Sequence, residues 1–276
     1  MMTLNKVTWL ASVMLAASCV VGPPAAVVDP ASDQRHTIED RGFDALHYRI
    51  ALRIPGDTAR FSGAVDLILL AQRPLARVVL DAADMTILSA QANGEPAVFR
   101  HTGPRLVIEL PEPIPAGRSA TVHVEYKVEN PLAGAHFSLP QDLGTTHVPQ
   151  VLTQGEDERA RFWLPCVDSP HERATHEISL TVPLSWETIA AGAQTGRVTD
   201  PVASTATVTW KLDRPMPAYL FTFAAGPFVR IEDKWEGTPI THYVEPGDFD
   251  AARASFASTP DVLGFFSSYT GFRYPY

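Results

Sequence analysis

Ten consecutive residues, Ser119 to Val128, alternate without a break. Ala120, Val122, Val124, Tyr126 and Val128 are apolar or aromatic, and Ser119, Thr121, His123, Glu125 and Lys127 are polar. Successive side chains of a strand point to opposite faces, so this is a strand buried on one side only. A helix would scatter the same apolar residues around its circumference. The alternation recurs in Leu106/Ile108/Leu110, Ile178/Leu180/Val182 and Ala206/Val208/Trp210/Leu212. Strand-like runs also occur at His47–Ile54, Arg60–Leu70, Arg77–Leu80, Ile87–Ala92, Thr188–Ala193, Tyr219–Ala224, Phe228–Lys234 and Ile240–Val244. Turn signals such as Pro55-Gly56-Asp57, Asn93-Gly94 and Pro246-Gly247 separate them. The 24 prolines among 276 residues suit short strands joined by Pro-bearing turns and argue against a helix-rich chain. The expected fold is all-β, a large antiparallel saddle-like β-sandwich with a short C-terminal helical segment. That segment is Phe249 to Tyr269, with Asp248 as its N-cap and Pro260 expected to break or kink it.

The charge balance excludes one class of partner. Thirty-one acidic side chains stand against 22 basic ones, a net charge of −9. A nucleic-acid binder needs a surplus of Lys and Arg on one face, and basic runs here never exceed two residues. With two cysteines, Cys19 and Cys166, neither a multi-disulfide framework nor a thiolate zinc cage can form.

The first residues read as a leader. Lys6 is the only charge before Asp29, and the apolar run Val7 to Ala17 is too short for a membrane span but suits a secretory signal. Leu15-Ala16-Ala17-Ser18-Cys19 resembles a bacterial lipobox, with Cys19 as the lipidated new N-terminus, although Ala16 stands where that pattern prefers Leu. Secretion with cleavage near Ala17 or Ala26, or a retained anchor, fits the same residues. Residues 1–18 are therefore read as a signal peptide and 19–40 as a flexible tether rich in Pro, Ala and Val. The strand-rich domain is expected over 41–247. The implied location is exported, as a periplasmic or outer-membrane lipoprotein that touches the membrane only through its lipid.

Familiar catalytic patterns are absent or misspaced. His171-Glu172-Arg173-Ala174-Thr175-His176 places its histidines five apart, which on a helix turns them some 140° away from each other. A zinc helix needs them four apart. The expectation here is two surface histidines in a loop that enters a strand, with no metal bound. No Gly-x-Ser-x-Gly elbow or phosphate-binding glycine loop is present. Cys166 lacks a basic neighbour in sequence and reads as a buried structural thiol.

One long irregular stretch remains, residues 153–170. It runs Thr153-Gln154-Gly155-Glu156, then Ala160-Arg161, then Pro165-Cys166-Val167-Asp168-Ser169-Pro170. Long irregular segments in compact domains commonly carry function. These motifs, in this order, resemble the N-terminal domain of the zinc aminopeptidases related to aminopeptidase N, puromycin-sensitive aminopeptidase and leukotriene hydrolase. Further landmarks agree: His47-Tyr48, Phe61-Ser62-Gly63, Met216-Pro217-Ala218-Tyr219-Leu220, Gly226-Pro227-Phe228 and Tyr269-Thr270-Gly271-Phe272-Arg273-Tyr274-Pro275.

The resemblance implies that Gln154 and Glu156 hold the free α-amine of a peptide. A carboxylate ionised at neutral pH suits a three-donor ammonium. Asp168 is implied to be a structural cap. The family's Gly-x-Met-Glu-Asn strand, His-Glu-x-x-His helix and catalytic Tyr have no counterpart in these 276 residues. Residues 248–276 accordingly read as the start of a truncated catalytic domain. The chain by itself is expected to hold no zinc, which the complete family enzyme uses, and to be inactive alone. Its expected role is the substrate-anchoring N-terminal domain of an exported zinc aminopeptidase-like protein, with peptide N-termini and a separate catalytic domain as partners. The alternative is a stand-alone, non-catalytic binding lipoprotein.

Overall fold

The computed structural model of the chain describes residues 39–139 and 148–275. The leader, Cys19 and nearly all of the tether lie outside the described residues.

The body is built on an eight-stranded sheet. Its strands are β1 (Phe43–Arg53), β2 (Arg60–Ala71), β4 (Thr86–Ala92), β5 (Glu95–Pro96), β8 (Ser119–Glu129), β11 (Ala174–Pro183), β13 (Ala193–Asp200) and β14 (Thr205–Met216). They are arranged in the order β13-β14-β11-β1-β2-β8-β4-β5. A three-stranded sheet follows the order β3-β7-β6, from β3 (Leu75–Asp81), β6 (Phe99–Thr102) and β7 (Arg105–Ile114). A four-stranded sheet has the order β12-β15-β10-β9, from β9 (Ala135–Ser138), β10 (Gln150–Thr153), β12 (Glu187–Ala190) and β15 (Phe223–Gly226). A hairpin of β16 (Val229–Trp235) and β17 (Thr238–Val244) leads into two helices, α1 (Phe249–Phe256) and α2 (Thr259–Thr270).

The alternation in β8 is realised as expected, with Ala120, Val122, Val124, Tyr126 and Val128 all buried. Their partners across the ladder in β2, Leu69, Leu67 and Val65, are buried too, because paired residues share a face. Val78, Leu80, Leu106 and Ile108 of the three-stranded sheet and Val151, Phe223 and Ala225 of the four-stranded sheet join the same core. Two sheets thus cover one face of the large one, which is the expected sandwich.

Four details differ from the sequence reading. β1 and β11 pair in parallel, so the main sheet is antiparallel except at this one ladder. A parallel pair needs a long connection, and the chain builds its two smaller sheets largely within the one between Arg53 and Ala174. The run expected as a strand from Tyr219 is a 3-10 turn at Ala218–Leu220, and β15 starts only at Phe223. The C-terminal helical segment is two helices, with Pro260 in the first turn of α2, where its missing N–H costs nothing. Asp248 sits at the N-cap of α1 but makes no side-chain capping bond.

Candidate functional site

The stretch 153–173 follows edge-to-core logic. Thr153 ends β10 buried, and its hydroxyl accepts a hydrogen bond from the Phe223 N–H at 2.9 Å. Past it, Gln154 donates its backbone N–H to the Gly134 carbonyl (2.9 Å), and the Arg159 N–H closes onto the Gly155 carbonyl (2.7 Å). Gly155 is buried between two exposed neighbours. A Cβ there would lie 2.4 Å from the Tyr219 carbonyl oxygen, so only glycine lets the loop pass the 3-10 turn. Gly134, at φ +75°, is confined in the same way, since its Cβ would stand 2.3 Å from the Arg159 carbonyl oxygen.

The structure therefore brings Gln154 and Glu156 together on one pinned loop, both exposed. Among the described residues neither side chain has a hydrogen-bond or ion-pair partner. Their polar groups are free for a ligand while the backbone between them is fixed.

Beneath the loop lies a buried polar network. Asp81, at the end of β3, accepts from Arg41 Nη2 (2.7 Å) and from the Asp168 N–H (2.9 Å) through one oxygen. Its other oxygen is 3.1 Å from Arg105 Nη1, at ion-pair distance but without hydrogen-bond geometry. Backbone bonds in both directions join Asp81 to Cys166. Asp168 accepts from the Arg161 N–H (3.1 Å) and Arg161 Nε (3.0 Å), and Arg161 also reaches Glu158 at 2.9 Å. Burial pushes the Asp168 carboxyl above its ordinary value, and the Arg161 bonds hold it back. The role of Asp168 is structural, as the resemblance implied.

Tyr48 and Tyr126 complete the clamp. The Tyr48 hydroxyl accepts from the Val167 N–H at 3.1 Å, and the Tyr126 hydroxyl donates to the Trp163 carbonyl at 3.0 Å. Burial raises the pKa of both phenols, so they stay neutral. Burial likewise pushes the Cys166 thiol well up, with Asp168 and Asp81 adding to it, so this sulfur is no nucleophile.

The histidines correct the sequence reading. His171 is exposed in a turn, but His176 lies within β11 at 0% exposure. Its ring packs on Phe221 at 4.2 Å, and neither ring nitrogen has a partner. Burial, with the nearby His47, lowers its pKa to about 4. Alternation along β11 puts His176 on the core face with Ile178 and Leu180, a consequence of strand period that the loop reading missed. Glu172 is also occupied: it accepts the Ala45 N–H at 2.6 Å, and burial raises its pKa. His123, on the polar face of β8, is half-buried and pairs with Asp66 at 2.7 Å.

Among the described residues no three His, Cys, Asp or Glu side chains converge on a point that could hold a metal ion.

The β-sandwich thus fixes the backbone of a polar loop and leaves two side chains of that loop unpaired among the described residues. The model described as the Peptidase M1 N-terminal domain matches residues 44–220, and the chain belongs to that family. It is 25% identical to leucine aminopeptidase 2 of Coccidioides immitis over 218 residues, 75% of this chain and 35% of that one. It is 24% identical to leukotriene A-4 hydrolase of Xenopus laevis over 239 residues, 83% and 38% of the respective chains. A transcription initiation factor TFIID subunit 2, from Danio rerio, shares 27% identity over 157 residues, 56% of this chain and 13% of that protein. A solved M1 zinc metallopeptidase from Deinococcus radiodurans, bound to a Tyr-Ser-Ala substrate, superposes with a TM-score of 0.61 at 28% identity. That superposition covers 74% of this chain and 47% of the other. The chain spans less than half the length of each of these proteins.

Proposed function

We propose that this chain is the substrate-anchoring N-terminal domain of an exported, lipid-anchored M1 aminopeptidase-like protein, in which Gln154 and Glu156 grip the free α-amine of a peptide. The observation that carries the reading is the pinned loop: two exposed, unpaired polar side chains flank a glycine that nothing larger could replace. A carboxylate and an amide carbonyl together offer the acceptors an ammonium requires, and a capped N-terminus would lose the charge they read. The Tyr-Ser-Ala substrate in the Deinococcus relative supports a short peptide as ligand. Hydrolysis is assigned to a catalytic domain outside residues 39–275, so this polypeptide alone is inactive. Cys19 is assigned as the lipidated residue, and the location as periplasmic or outer-membrane.

The test is titration calorimetry with a free tripeptide and with its N-acetylated form, in the presence of the catalytic domain of a relative. The free peptide binds better, and Glu156→Ala weakens it by about tenfold, the loss of one charge-assisted bond. Equal binding of both peptides, or unchanged affinity in Glu156→Ala, refutes the anchor. Peptidase activity in the purified chain that disappears with a chelator refutes the inactivity. The match to a transcription-factor subunit favours a second reading, a non-catalytic binding module. Peptide binding by the isolated chain, with no gain from a catalytic domain, would select it.

A further inference from the structure

We infer that a cleft at one end of the eight-stranded sheet is an anion site for a small phosphate-bearing ligand, separate from the peptide loop. The cleft has a volume of about 410 Å³. It is formed where β1, β8 and β11 end and β2 and β14 begin, between the connection after Arg53 and the turn before Thr205. None of its lining residues belongs to the loop that carries Gln154 and Glu156.

The register explains why cations gather here. Arg53 pairs with Ser62 across β1 and β2, and Ser62 pairs with Lys127 across β2 and β8. Paired residues share a face, so the three stand in one row, with the two cations two strand spacings apart, roughly 10 Å. Arg60, two positions before Ser62 on the same strand, projects from the same face. All three cations are exposed. Among the described residues none has a hydrogen-bond or ion-pair partner. Among the described residues Glu129 is the only carboxylate lining the cleft, and although it stands opposite Arg60 in the ladder no ion pair forms between them.

Three like charges in one concavity repel one another, an arrangement that costs free energy in the empty cleft and is relieved by an anion. The chain as a whole carries −9, so this local excess runs against the field of the molecule. The lining also supplies the hydroxyls of Ser62, Ser204 and Thr205. Two guanidiniums, an ammonium and hydroxyl donors match the several oxygens of a phosphate better than the two of a carboxylate. The volume is at the small end of ligand sites, which suits a phosphorylated small molecule or a single lipid headgroup.

The experiment uses the full chain with two probes. Calorimetry with inorganic pyrophosphate reads the free ligand, and flotation with phosphatidylglycerol or phosphatidylcholine vesicles reads the headgroup. Saturable binding of pyrophosphate is expected, weakened at least about tenfold by Arg53→Ala combined with Arg60→Ala and weakened less by the Arg53→Lys variant. Co-flotation with phosphatidylglycerol vesicles alone, lost in the same double variant, would identify the headgroup as the source. Because the three side chains are exposed and unpaired, the variants should keep the wild-type melting temperature, and circular dichroism checks that they do. Absence of saturable binding to either probe overturns the assignment. So does binding that the double variant leaves unchanged while it melts as the wild type does.

Discussion

His176 is a buried imidazole with no hydrogen-bond partner, and it should make the domain sensitive to acid. In the unfolded chain it titrates near 6.5, and in the fold burial and His47 lower it to about 4. A lowered base is neutral when folded and takes its proton on unfolding, so its share of stability is complete above pH 6.5 and falls as pH drops toward 4. The full difference of about 2.5 pKa units corresponds to about 3.4 kcal/mol, of which about 2 kcal/mol is lost between pH 7 and pH 5. His47, whose pKa burial also lowers, acts in the same direction. Asp168 and Glu172 act in the opposite one. Burial raises both, so their protonation favours the fold as pH falls through their elevated values.

The share that belongs to the imidazole is the one a substitution at His176 removes. Urea unfolding monitored by Trp fluorescence at pH 7 and pH 5 gives the unfolding free energies, to whose difference His176 should contribute about 2 kcal/mol in the wild type. His176→Leu keeps an apolar group of similar size against Phe221 and should flatten most of that dependence. An equal loss in His176→Leu, or a His176 resonance that titrates near 6.5 in the folded protein, refutes the argument.

Other perturbations follow from the same network. Asp81→Asn removes the carboxylate shared by Arg41 and Arg105 and leaves a buried guanidinium short of its counter-charge, a loss of about 3 kcal/mol measurable by denaturant unfolding. Gly155→Ala forces the loop away from the Tyr219 carbonyl, so peptide affinity should fall more than thermal stability does, as calorimetry beside a melting curve would show. In a Cys19→Ser background, Cys166 should resist Ellman's reagent until the chain unfolds, since it is fully buried and its thiol is held neutral. Phe265, Phe266, Tyr269 and Phe272 are more than half exposed on and just after α2, and they should bind an apolar dye. A dye-silent, monodisperse chain would show that this aromatic face is covered in solution.

Strand identity was legible because a pleat imposes a period of two, and one buried face writes that period into Ser119–Val128 directly. Pairing was not. Whether β1 meets β11 in parallel depends on how the two smaller sheets fill the long connection, and side-chain alternation is blind to strand direction. The same limit applied to His176, where an apparent metal motif hid the alternation of the strand it belongs to. Five residues is an odd spacing, which on a single strand sends His171 and His176 to opposite faces; only recognition that β11 begins at Ala174 shows that the second faces inward.

The candidate site entered in a different way. Gln154 and Glu156 came from the resemblance that the order of short motifs carries, whereas Asp81, which anchors residues 166 and 168 of the same irregular stretch, carries no local signal. It lies 87 residues before Asp168, whose N–H it accepts, and its only mark is a carboxylate following the buried Leu80 at the end of an apolar strand. Such a residue is found by asking where a buried charge finds its partners. Arg41, Arg105 and the Asp168 N–H answer that question together, and their bonds tie residues 166–168, which follow the exposed pair in the same irregular stretch, into the core. A loop that presents two unpaired polar groups gains no rigidity from those groups, so its order has to come from the backbone and from its neighbours. The glycine at position 155 and the carboxylate at position 81 supply the two parts of that order.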